Sequence, residues 1–188
     1  MSMKRWLALS LLLTIAPATW AAFKPIRALA PQWAGTTCEG AICIDDPARL
    51  DEARALYRDA LAFVDTRVGR IQAPPRMVFC ATAACSQRFG FRANAAYTVG
   101  TSGIVISHRG WAPFFVRHEL IHHLQNERLG TIRAGFFKPA WWREGMAYSL
   151  SLDPRRPLPA PLEGLRATYE TWAAHQHGLD PWQAAASL

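Results

Sequence analysis

The chain has 188 residues, 51% of them hydrophobic and 19% charged, with a formal net charge of +7. That length fits one domain with a real hydrophobic core and leaves little room for a second. The arginines are scattered rather than gathered into a stripe interleaved with aromatics, which argues against nucleic acid and leaves a mildly basic surface suited to acidic envelope polymers or anionic membranes.

In chain order, Lys4 and Arg5 precede an apolar run from Trp6 to Ala16, and small residues follow at Ala18, Thr19 and Ala21. This is the layout of a secretory signal peptide. The run is too short for a hydrocarbon core that needs about 20 apolar residues, so residues 1–21 are expected to be removed, with cleavage after Ala21 or, as second choice, after Ala18. No cysteine lies nearby to accept a lipid. The expected destination is the periplasm, with full secretion as the alternative. Residues 22–46 read as an irregular, proline-bearing segment and residues 47–188 as the folded domain. An oxidising compartment makes disulfides the default for Cys38, Cys43, Cys80 and Cys85. Three pairings exist; the local one, 38–43 with 80–85, is expected because each bridge closes a short loop bounded by turn residues. A four-cysteine zinc site lacks the two-residue spacing of zinc knuckles.

Asp46 and Pro47 look like a helix N-cap and first helical residue, and Leu50, Ala53, Tyr57, Ala60, Leu61, Val64 and Val68 recur at helical spacing up to Gly69. A strand is expected at 76–80, then a cysteine-closed loop, then a hairpin from 96–99 and 104–107 around Gly100-Thr101-Ser102-Gly103. Pro113 opens a helix that runs to Leu129 and stops at Gly130. Pro139 opens another through Leu152, and a last helix covers about 162–176 after prolines 157, 159 and 161. Helix, small sheet, then helices is the order of an α+β domain.

The segment with chemical content is His118-Glu119-Leu120-Ile121-His122, inside a stretch already read as helix. Residues four apart lie one above the other on a helix face, so both imidazoles can converge on one cation. Glu119 sits about 100° round, where it reaches a water held by the metal rather than the metal itself. Zinc used for hydrolysis takes three protein ligands and keeps a fourth position for water. The downstream segment Trp141-Trp142-Arg143-Glu144-Gly145-Met146-Ala147-Tyr148, at the start of the next helix, offers Glu144 as the third.

Together the two segments resemble the gluzincin metallopeptidases, the thermolysin-like branch of zincins, whose second motif is a Glu-Gly-x-Ala helix; the size is similar to the compact mini-gluzincin type. The resemblance covers about 104–152. It implies a zincin-like fold, a small mixed sheet with an edge strand beside the active-site helix and a second motif helix. It also implies one Zn2+ held by His118, His122 and Glu144, Glu119 as general base, and peptide-bond hydrolysis. In that family the substrate lies along an edge strand before the active-site helix, which here implies Ile104, Val105 and Ile106. A group stabilising the oxyanion is expected beyond the second motif, with Tyr148, Tyr169, His175 and His177 as candidates. His123 points away from the metal face and reads as a supporting or surface residue, and His108 ends the expected edge strand. The expected partner is a peptide or protein substrate. Competing readings are a non-catalytic metal-binding envelope protein on the same fold, a hydrolase of cell-wall peptides, and a metal-free interaction module built on the tryptophan-rich helices.

Overall fold

The computed structural model describes residues 24–176, 180–186 and 188. The expected signal peptide and His177 lie outside the described residues. Five strands, β1 (Thr37–Glu39), β2 (Ile42–Ile44), β3 (Met77–Phe79), β4 (Ala96–Val99) and β5 (Gly103–Ile106), form one sheet in the order β1-β2-β3-β5-β4. Strands β2, β3 and β5 run parallel, and β1 and β4 pair antiparallel at the two ends. The helices are α1 (Leu50–Arg67), α2 (Ala83–Arg88), α3 (Pro113–Leu129), α4 (Ala140–Leu150), α5 (Leu162–Ala174) and α6 (Pro181–Ala186). The fold is mixed α+β, as the element order in the sequence predicts. Among the described residues no helix is long and apolar enough to cross a membrane.

Successive side chains of a strand point to opposite faces, and register aligns them across the sheet. Ile42, Met77 and Ile104 stand side by side, as do Ile44, Phe79 and Ile106. These six face α1, α3 and α4, packing with Ala53, Tyr57, Val64, Leu120, Leu124, Trp142 and Met146. The intervening residues Cys43, Val78 and Val105 turn to the other face and pack with Ala28, Ala34, Cys85 and Phe89. Both faces are covered, so the central strands read as unbroken apolar runs rather than alternating ones. Each large aliphatic or aromatic side chain fully buried in these layers contributes about 1.5–3 kcal/mol relative to exposure.

Several sequence expectations are met in detail. Asp46 caps the turn ahead of α1 by accepting from Ala48 N–H at 3.1 Å, although the first turn, Pro47–Arg49, is 3-10 rather than α. Pro113 opens α3, and Gly130, at φ +81°, ends it. The disulfides are Cys38–Cys43 and Cys80–Cys85, the local pairing.

Other expectations are corrected. The segment expected to be irregular carries 3-10 turns at Lys24–Leu29 and Pro31–Ala34 and then the β1–β2 hairpin, so the folded unit begins before residue 47. Strands of three residues are too short for periodicity to reveal, and this pair is held by the disulfide directly across it. The loop expected between Cys80 and Cys85 leads into α2, capped by Thr82, whose hydroxyl accepts from Cys85 N–H at 3.1 Å. Most consequential, Ile104, Val105 and Ile106 are not at the sheet edge: β5 is flanked by β3 and β4, and the edge is β4. The hairpin folds back on the open side of β5, because β3 already occupies its other side as a parallel partner.

Candidate metal centre

Helix α3 carries His118 and His122 one turn apart, and α4 crosses beside it with Glu144 in its second turn. Gly145 permits this placement. A Cβ there would stand 2.3 Å from the Leu165 carbonyl oxygen and 2.6 Å from Tyr169 Cβ, so α4 meets α5 backbone to backbone and Glu144 is turned back toward α3.

The three side chains converge on one point. His118 Nε2 and His122 Nε2 are 3.1 Å apart, and Glu144 Oε2 lies 3.6 Å from the first and 3.3 Å from the second. A tetrahedral ion with bonds of about 2.0–2.1 Å places its ligand atoms about 3.3–3.4 Å from one another. Two imidazole nitrogens and one carboxylate oxygen at this spacing therefore form one face of a zinc-sized tetrahedron, and the donor set is one that zinc accepts. Among the described residues these three form a group able to hold a metal ion.

Neighbouring groups hold His122 and Glu144 in place. Gln125 donates its amide N–H to the Arg143 carbonyl at 3.0 Å, which turns its Oε1 toward His122 Nδ1 at 2.9 Å. His122 Nδ1 must then donate, so Nε2 is the ring nitrogen that faces Glu144. Arg143 Nε donates to Glu144 Oε1 at 3.2 Å and its guanidinium also reaches the Gly135 carbonyl at 2.8 Å, so Oε2 is the oxygen left for the centre. Burial pushes the Glu144 carboxyl up, but hydrogen bonds from His118 and His122, and their charges, outweigh it and hold Glu144 well below the usual carboxylate range. Burial pulls His122 down, and the Glu144 hydrogen bond and charge, followed by Glu119, more than offset it and leave His122 raised. Without a cation, the ionised carboxylate favours the protonated form of His122; a divalent ion satisfies the same charge.

Glu119 stands apart from the three ligands. Its Oε2 accepts from Thr98 Oγ1 at 2.7 Å, and it lines the same cleft of about 440 Å³ as His118, His122, Glu144 and Tyr148. The other wall is the edge strand, through Ala96, Tyr97 and Thr98, and the turn after α3 closes one end with Thr131, Gly135 and Phe136.

Of the candidates for oxyanion stabilisation, Tyr148 is the one at the cleft, its ring 4.4 Å from that of His118 in an edge-on arrangement. Burial, then the charges of Glu144 and Glu119, raise its phenol, so it is a proton donor at neutral pH. Tyr169 is buried in the core against α4, and burial pushes its phenol up to about 12. His175 is exposed and donates to Thr171 C=O at 2.7 Å. His123 is not a surface residue: it is fully buried and donates from Nε2 to Ala73 C=O at 3.0 Å. His108 is hydrogen-bonded through Nδ1 to Ser86 Oγ at 2.9 Å and does not line the cleft. Sequence reasoning missed Thr98, Gln125 and Arg143. Gln125 had a signal, three residues after His122 on the same helix; Thr98 had none, since it comes from a separate strand.

No family model, curated protein or solved structure matches this chain.

Proposed function

We propose that this chain is an exported zinc-dependent peptidase of the gluzincin type, with a zincin-like fold in its compact form. The observation that carries this reading is the convergence of His118, His122 and Glu144 on one tetrahedral face, with a separately held carboxylate, Glu119, in the same cleft. Bound by the three ligands, zinc supplies Lewis acidity toward a scissile carbonyl and toward water at neutral pH. Glu119 takes the water's proton and returns it to the leaving amine. Tyr148, protonated beside His118 in the same cleft, is the group assigned in this reading to donate to the developing oxyanion. The free edge of β4 replaces Ile104, Val105 and Ile106 as the strand to which an extended peptide adds through main-chain hydrogen bonds. The two disulfides fit an oxidising compartment, and the periplasm is the location we propose.

The test measures zinc by mass spectrometry and cleavage of a quenched peptide library on wild type, Glu144→Ala and Glu119→Gln. Wild type should hold about one zinc, Glu144→Ala should lose it, and Glu119→Gln should keep it while cleavage drops by at least about 10²-fold. No zinc in wild type, or equal zinc without Glu144, overturns the site. Zinc without cleavage of any peptide, casein or cell-wall substrate makes the chain a metal-binding envelope protein.

A further inference from the structure

A general base acts only from a defined position, and a glutamate side chain left to itself samples many rotamers. Glu119 is held by Thr98. Strand β4 pairs Thr98 with Ile104 of β5, and the neighbours Tyr97 and Val99 turn to the opposite face, where Tyr97 packs on Phe91. Alternation along the strand therefore sends Thr98 toward α3. There its Oγ1 lies 2.7 Å from Glu119 Oε2 and 3.0 Å from the Glu119 carbonyl oxygen. The hydroxyl has one proton, and the nearer, charged oxygen forms the stronger bond. Among the described residues Glu119 has no other side-chain hydrogen bond.

We infer that Thr98 is the positioning residue for Glu119: its hydroxyl fixes Oε2, and Oε1 is thereby the oxygen that takes and returns the proton. Threonine suits the task because its β-branch restricts χ1 and favours a strand, so the hydroxyl is oriented before it meets the carboxylate. Thr98 also stands on the strand whose edge lines the cleft. A peptide added to β4 and the base that acts on it are thus referenced to one backbone, and a shift of the strand moves both together. This role rests on the hydrolytic reading proposed above.

Two substitutions separate positioning from packing. Thr98→Val keeps the branched shape and loses the hydroxyl; Thr98→Ser keeps the hydroxyl and loses the methyl. For positioning, Thr98→Val lowers kcat by about 10- to 100-fold, with KM and zinc content close to wild type, and Thr98→Ser retains most of kcat. Packing alone reverses the order, leaving Thr98→Val active and Thr98→Ser impaired, and that result overturns the inference while leaving the proposed function standing. A readout independent of turnover is a double-mutant cycle on the metal-free protein, followed by the denaturant midpoint. Thr98→Val should lower the midpoint in the wild-type background and have little effect in the Glu119→Ala background; additive effects overturn the pairing. Absence of cleavage by zinc-loaded wild type overturns the hydrolytic reading and this role with it.

Discussion

At the scale of single residues, the candidate centre consists of a small set of ligands and a set of groups that aim them. The sequence discloses the first kind more readily than the second, since ligands on one helix must obey helical spacing and supporting groups need only be near. Gln125 is the clearest supporting group: it is buried, and its amide links the Arg143 carbonyl to His122 Nδ1. Removing such a partner releases the imidazole tautomer and ring orientation. Gln125→Leu, close in volume but without the acceptor, should weaken zinc binding by about 10- to 100-fold in competition with a chromophoric chelator. Unchanged affinity would show that His122 is oriented by packing alone.

At the scale of elements, the centre depends on how closely α4 approaches α5 and on where the hairpin leaves β4. At Gly145 the helices meet over the Leu165 carbonyl, which a Cβ would strike. Gly145→Ala should therefore push the helices apart, lowering stability by about 1–3 kcal/mol in chemical denaturation and lowering zinc affinity because Glu144 moves with α4. Retention of both would mean that the pair of helices relaxes without moving the carboxylate. The hairpin is legible from its turn residues, but its position in the sheet is not. Which side of β5 stays open depends on the parallel pairing with β3, across residues far apart in the chain.

At the scale of the whole molecule, the two disulfides sit on the β1–β2 hairpin and at the β3–α2 junction, and neither lines the cleft that holds His118 and His122. Each closes a loop with a sequence separation of only 5, and a loop that short contributes about 2 kcal/mol by limiting the unfolded chain. Replacing Cys38 and Cys43 together by serine should lower the unfolding free energy by about that amount and leave zinc content unchanged. Loss of zinc in that variant would couple the hairpin to the centre. Within the chain itself, short-range patterns determined the helices α1, α3, α4 and α5 and put His118 and His122 on one helix face, because helical period, caps and four-residue spacing are local. Tertiary structure alone decided that β1 and β2 join the sheet, that β4 and not β5 is its edge, that Tyr148 rather than Tyr169 or His175 reaches the cleft, and that Thr98 meets Glu119. Each of these is a contact between residues distant in sequence, set by sheet register and helix packing, and no spacing along the chain encodes it.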